Sequence, residues 1–555
     1  CCQINGSRRL AITVNHQSVR WAFSRPNGLL LTTLIAALCV ALPVLVVVSF
    51  VLTGVSDAWA HLLDTLLGRY ALNSLFLSVL VAIGVAILGV PAAWIISFYR
   101  FKGRGVLSWL LLLPMAYPAY ILAYTYTGML DFSGPVLTLL RDLNAPQWLM
   151  DPLLNIRSLP GAALMLSLVL YPYVYLLARA AFMEQSANLM EAAYTLGQSR
   201  WRVFTRIVIP MARPAIAAGT LLAVMETLAD FGTVQFFGVQ TFTTGIVRTY
   251  YGFGDTVGAA QLSTLLLGCV FFLVIFEKAS RSKVRYYSDR LRKLNQTSVT
   301  LTGWRQLVAQ ILCLLPVLFG FLLPTVILSY WALFFAELQS MWSLITNSFF
   351  LAGFASIFIV MIALIICYAN RLYPSPWLNH TTTFVGLGYA LPGVVVAIGV
   401  LIPFGALDRF ISSALTSFGV APSLWLSGTL VALIFAYLVR FLTVATGNLT
   451  SGLSRVRPSI DQSGRLLGLN QFGVISKLHI PLIRGSVFTA ILVCFVDILK
   501  ELPATLILRP FDFNTLAVKA YELAGDERLI DASVPSILIV LVGLLPVIWL
   551  NRSVT

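Results

Sequence analysis

Long apolar runs separated by short polar, mostly basic stretches organise this chain. Runs at about 28–54, 72–99, 105–130, 159–182, 213–233 and 257–279 precede the polar stretch 280–304, and runs at about 305–334, 345–370, 382–404, 426–449, 485–504 and 533–551 follow it. Each is close to or longer than the roughly 20 residues that carry a helix across a bilayer. They are continuous rather than alternating, which predicts helices and not barrel strands. The pattern predicts an all-α polytopic membrane protein with about 12 transmembrane helices. Residues 1–27 form a tail, 28–279 a first module of six spans, 280–304 a linker and 305–555 a second module of six spans. In the third run, Pro114 and Pro118 interrupt hydrogen bonding beside Tyr117, Tyr120 and Tyr124. That predicts either a span facing the bundle interior or a simple kink.

Composition agrees with this reading. Of 555 residues, 59% are hydrophobic and 11% charged, more apolar surface than a soluble fold can hide. The formal charge of +15 would suit nucleic acid, but the Lys and Arg residues fall in alternate loops. This is the positive-inside pattern, and it places both termini in the cytoplasm. The expected surroundings are membrane lipid, with no nucleic-acid partner. No cleavable targeting segment is seen, so the first span is expected to act as the insertion signal. Cys39, Cys269, Cys313, Cys367 and Cys494 sit inside apolar runs as small hydrophobes. His16, His61, His380 and His479 are scattered, and no set of residues has metal-ligand spacing. There is no phosphate-binding loop for ATP and no catalytic constellation.

One polar segment between spans, Glu191–Pro210 (EAAYTLGQSRWRVFTRIVIP), carries a defined spacing. Glu191, Ala192 and Ala193 begin a helix, Gly197 permits a turn, and Ile207 and Pro210 are expected to close a second short helix. A weaker copy, DQSGRLLGLNQFGVISKLHIP, follows at Asp461–Pro481, with Gln462, Gly468, Leu478 and Pro481 at matching places. Gly197 and Gly468, and likewise Pro210 and Pro481, are each 271 residues apart. The repeat also pairs Asn73-Ser74 with Asn347-Ser348, Pro118 with Pro392, Thr244 with Thr515 and Tyr250 with Tyr521. Two modules of six spans in one orientation predict a pseudo-two-fold axis along the membrane normal.

Four acids stand within apolar segments: Glu226 and Asp230, and 271 residues on, Asp497 and Glu501. Four residues apart predicts one helix face for each pair. A lone charge at mid-bilayer costs roughly 2.5–3.5 kcal/mol, so these acids are expected to pair, protonate or face water. Either they line a translocation path or gate, where hard oxygens suit a highly charged cation, or they form an interhelical pairing network that uses Lys500.

The spacing of Glu191–Pro210, set between spans, resembles the EAA loop of inner-membrane permeases of binding-protein-dependent ABC importers. ETLADFGTVQFFGVQTFTTGI (Glu226–Ile246) and KELPATLILRPFDFNTLAVKAYE (Lys500–Glu522) further resemble the fused, two-module iron(III) permeases of that family. The resemblance implies two tandem type I importer modules in a bacterial inner membrane, with coupling loops at 184–212 and 455–484. It implies two cytosolic ATPase subunits, which carry the ATP and Mg, and a periplasmic iron(III)-binding protein. This chain itself would be a permease without enzymatic activity or bound cofactor. Thiamine and polyamine permeases share the loop. An ion-coupled secondary transporter, with the acids as its relay, needs no duplicated loop. In the second copy Gln462 and Ser463-Gly464 replace Glu-Ala-Ala, which bears on whether both loops couple equally.

Overall fold

The computed structural model describes residues 27–555 apart from 55, 57–58, 60, 133, 185–192, 194, 283–298, 336–340, 373–375, 387, 417, 419–420, 422, 470 and 555. The expected N-terminal tail and most of the linker lie outside the described residues. The first half comprises α1 (Asn27–Ser49), α2 (Leu67–Phe98), α3 (Arg104–Leu110), α4 (Ala119–Leu130), α5 (Leu159–Glu184), α6 (Ile209–Ala229), α7 (Gly232–Phe236), α8 (Phe242–Gly252) and α9 (Thr256–Ser282). The second half comprises α10 (Trp304–Val317), α11 (Leu323–Phe334), α12 (Trp342–Leu372), α13 (Gly393–Thr416), α14 (Leu430–Ser454), α15 (Ile480–Leu499), α16 (Pro503–Leu508), α17 (Leu516–Gly525) and α18 (Ser533–Val554).

Among the described residues, ten helices are long and apolar enough to cross a membrane. Arg104–Ala116 and Ala119–Asp142, bent by 91°, form an eleventh as one broken span, and the shorter apolar helix Ser533–Ile548 accounts for the twelfth apolar run. The chain is a multi-pass, all-α membrane protein. Its lipid-facing surface is rich in large apolar side chains, such as Leu38, Phe76, Ile87 and Phe354.

The third span is broken and lies inside the bundle. Pro118 is extended (φ −65°, ψ 136°) between the two helical pieces, because its ring and missing N–H forbid continuation. Tyr171 donates to the Leu111 carbonyl at 2.9 Å and Tyr175 to that of Ser108 at 3.0 Å. These bonds satisfy carbonyls at the break that lipid could not. Tyr117, Tyr120 and Tyr124 are buried and face the second half. They reach Thr325 (2.9 Å) and the carbonyls of Ala517 (3.5 Å) and Ala532 (3.2 Å). Leu391-Pro392 breaks the second half in the same way, so the ninth span runs over Gly393–Thr416 rather than 382–404.

Close packing uses small residues, as expected where lipid removes the hydrophobic drive between helices. Helices α2, α5 and α6 pack on one another, as do α12, α14 and α15. A Cβ on Gly89 of α2 would come within 3.0 Å of the Tyr171 carbonyl, and one on Gly219 of α6 within 2.8 Å of Val174 Cα. The first helix of each half packs on the other half: α1 lies against α12 and α13, while α10 and α11 lie against α3 and α4. A two-residue parallel bridge, Tyr99–Arg100 with Val299–Thr300, joins the first half to the end of the linker.

Gly388, in the turn before α13, is where the backbone of α14 comes closest. An added Cβ would sit 2.1 Å from the Val439 carbonyl, next to Arg440. Gly388→Ala should therefore destabilise the protein by roughly 1–3 kcal/mol, the range for overpacking. Thermal unfolding in detergent measures this, and an unchanged midpoint would contradict the packing described here.

Candidate functional site

The two motif copies form two elbows. Gly197 has φ +75° and Gly468 φ +78°, left-handed conformations that favour glycine. Each elbow leads through one π-helical turn, Phe204–Val208 or Ile475–His479, directly into α6 or α15. Pro210 and Pro481 therefore do not stop a helix as expected; they sit in the first turn of α6 and α15, where a missing N–H is tolerated. Ala193 is buried, Ile207 and Leu478 are half-buried, and Gln462 is exposed. Glu191 and Ala192 lie outside the described residues. The tips project leucines: Leu196 is 79% exposed and Leu467, its counterpart, 82%.

The second elbow holds a charged cluster at positions that are uncharged in the first half. Asp461 accepts from Arg371 Nε at 2.9 Å and contacts His479 Nε2. Arg371 also donates to the carbonyls of Leu453 (2.6 Å) and Val456 (2.9 Å). The matching first-half residues are Ser97, Met190 and Val208. His479 is thus a buried partner of a carboxylate.

Glu226, Asp230, Asp497 and Glu501 all line one cavity of about 150 Å³. They do not share helix faces as the spacing predicts. Helix α6 ends at Ala229 and Asp230 is extended (ψ 134°), because its carboxylate binds the free N–H groups that open α7. Thr233 N–H (3.1 Å), Val234 N–H (3.2 Å) and Thr233 Oγ1 (3.0 Å) all donate to it. Glu501 does the same for α16, accepting from Ala504 N–H (3.0 Å), Thr505 N–H (2.9 Å) and Thr505 Oγ1 (2.6 Å). An acid at a helix N-terminus meets both unsatisfied donors and the positive end of the dipole.

Two cations complete the cavity. Arg440 Nη1 lies 2.9 Å from Glu501 Oε1, and Lys500 Nζ lies 2.8 Å from Asp497 Oδ1. Lys500 therefore pairs with Asp497 and not with its neighbour Glu501. Glu226 makes no hydrogen bond or ion pair among the described residues. Tyr173 and Tyr389 line the cavity beside it. Most of the lining comes in matched pairs from the two halves, such as Met115 with Tyr389, Leu170 with Phe441 and Gly232 with Pro503. The acids are duplicated and the cations are not: Arg440 matches Val169, and Lys500 matches Ala229. Four carboxyl groups thus face two cations. Among the described residues no three His, Cys, Asp or Glu side chains converge to hold a metal ion. The acids line a shared cavity and do not form a coordination shell among the described residues. Arg440 escaped the sequence reading, although a lone arginine within an apolar run is itself a sign of function or pairing.

The repeat recurs as hydrogen bonds. Asn73 Nδ2 donates to the Gln240 carbonyl (2.9 Å) and Asn347 Nδ2 to that of Asn514 (3.4 Å). Ser74 Oγ accepts from Phe242 N–H (3.3 Å) and Ser348 Oγ from Leu516 N–H (2.7 Å). Thr241 and Thr515 hold the same N-cap position, so Thr515 corresponds to Thr241 and not to Thr244.

Residues 86–286 match the family model described as binding-protein-dependent transport system inner membrane component. The chain is 27% identical over 473 residues to Fe(3+)-transport system permease protein FbpB 2 of Haemophilus influenzae, covering 82% of this chain and 84% of that protein. It is 24% identical over 442 residues to ferric transport system permease protein FbpB of Actinobacillus pleuropneumoniae, covering 74% of this chain and 60% of the relative. It is also similar, at 29% over 209 residues, to molybdenum transport system permease protein ModB of Haemophilus influenzae, covering 37% of this chain and 87% of the relative.

The buried pair can be tested directly. Arg440→Met leaves Glu501 without its counter-ion and should cost about 3–5 kcal/mol, the range for breaking a buried pair. Adding Glu501→Gln should recover part of the loss. Denaturation midpoints of both variants in detergent check this, and equal loss in each would argue against the pair.

Proposed function

We propose that this chain, an ABC importer permease of the binding-protein-dependent transport family, passes iron(III) delivered by a periplasmic binding protein. The observation that carries this reading is the convergence of Glu226, Asp230, Asp497 and Glu501, from both halves, on one cavity with excess negative charge. Hard carboxylate oxygens match a small, highly charged cation. Similarity to ferric permeases over most of the chain supports the same cargo. Glu226, without a partner of its own, is the acid most available to the cargo. Asp230 and Glu501 are committed to helix starts and shape the cavity around it.

The two elbows serve as docking points for two cytosolic ATPase subunits, which bind ATP and Mg. The exposed Leu196 and Leu467 at their tips support this. Both termini and both elbows then face the cytoplasm. The halves 28–279 and 305–555 act as the two modules of an importer, related by a pseudo-two-fold axis along the membrane normal.

A reconstituted complex with its ATPase and binding protein tests the proposal. Iron(III), and neither thiamine nor polyamines, should stimulate hydrolysis and accumulate in the vesicles. Glu226→Gln should cut uptake by roughly tenfold, on the order of 1.4 kcal/mol, at unchanged protein levels; wild-type uptake in this variant removes the path assignment. Gly197→Val forces a branched side chain into a left-handed conformation that costs roughly 1–2 kcal/mol or more. It should leave hydrolysis running but no longer linked to uptake, and tight coupling in that variant would deny the elbow its role.

A further inference from the structure

The cations of the cavity differ in how firmly they are held. Arg440 is largely buried, its side chain 12% exposed, and its buried partner Glu501 is also bound by two backbone N–H groups and a threonine hydroxyl. That pair is part of the fold. Lys500 and Asp497 lie on one helical turn with side chains 31% and 15% exposed, and no other hydrogen bond or ion pair holds the Asp497 carboxylate among the described residues. Lys500 stands at the C-terminal cap of α15, where the carbonyl end of the helix favours a cation. Its ammonium rides on a flexible four-carbon stem. At the matching place the first half has Ala229, so Glu226 has no such companion.

We propose that Lys500 is a tethered counter-cation: its ammonium neutralises Asp497 until cargo takes its place, and reclaims the carboxylate as cargo leaves. This rests on the reading of the cavity as the cargo path. A partly exposed pair held by one contact is more readily exchanged than the Arg440–Glu501 pair. An internal cation competing for one of four acids keeps the cavity from holding a highly charged cargo too tightly to release it. The first-half acid Glu226 would then be the entry contact and Asp497 the contact that must be won from Lys500.

The test is a double-mutant cycle in the reconstituted complex, read as the KM for uptake of iron(III) presented by the binding protein. Lys500→Met should lower KM by roughly fivefold, the upper end for an exposed pair, with Lys500→Gln as a second neutral variant. Lys500→Arg should stay near wild type. Asp497→Asn should raise KM, because it removes a cargo ligand. In the Asp497→Asn background, Lys500→Met should no longer lower KM below that of the single Asp497→Asn change. If it lowers KM as much there as in wild type, Lys500 acts through the general field and the exchange is refuted. It is refuted too if Lys500→Met and Asp497→Asn shift KM in the same direction, as loss of a merely structural pair would. If Glu226→Gln and Asp497→Asn both leave KM and uptake rate unchanged, the cavity is not the path, and the reading beneath the proposal falls with it.

Discussion

A carboxylate set against the opening turn of a short helix is the interaction on which this architecture depends. Asp230 and Glu501 each end a long helix and begin a short one, and each binds the backbone N–H groups that the new helix leaves free. In a medium without water those donors would each cost several kcal/mol. Satisfying them inside the chain lets a span stop short and turn into α7–α8 or α16–α17 before the last helix. Asp230 and Glu501 line the cavity at these two breaks. The acids are therefore first a device for breaking helices, and the charged cavity is what the device encloses.

The halves agree where backbone must be held and differ where charge must be balanced. Asn73 and Asn347, with Ser74 and Ser348, tie the second span of each half to the turn before α8 or α17 in one geometry. Arg440 and Lys500 have no counterparts in the first half, where Val169 and Ala229 stand. In the first half Asp230 relies on neutral donors and Glu226 makes no hydrogen bond among the described residues, whereas both second-half carboxylates pair with cations. The field across the cavity is thus polarised between two nearly equivalent walls. A symmetric pair of identical subunits could not achieve this, and a fused duplication can.

Much of this was legible in sequence because its signals are local. Span apolarity is summed over some twenty neighbouring residues, and the 271-residue offset located the second elbow and second acid pair despite the loss of Glu-Ala-Ala. What failed depended on distant partners. Periodicity kept Asp230 on the helix of Glu226, because nothing in the segment shows that its carboxylate will prefer the next helix start. Pro210 read as a stop because the π-turn before it, which frees the backbone to accept proline, leaves no compositional trace. The third run left two readings open, since only Tyr171 and Tyr175, from another span, decide that its broken carbonyls are satisfied inside the protein. The crossing of α1 and α10 onto opposite halves is invisible to chain order.

The path from elbow to cavity is a single rod in each half. Helix runs unbroken from Phe204 to Ala229, 26 residues, and from Ile475 to Leu499, 25 residues, so each rod is roughly 38 Å long at 1.5 Å per residue. One end carries the elbow and the other the acid pair. A displacement at the base is carried toward the carboxylates, with the π-turn at the foot of each rod and, in the first, Pro214 inside the helix as joints. The feet are anchored differently. Phe204 stacks on Trp94 at 4.2 Å, while His479 meets Tyr368 at 5.4 Å and is also held by Asp461, which Arg371 ties to α12. Sliding the second foot means moving a charged cluster with its hydrogen bonds, and that rod is the one that ends at Asp497 and Lys500.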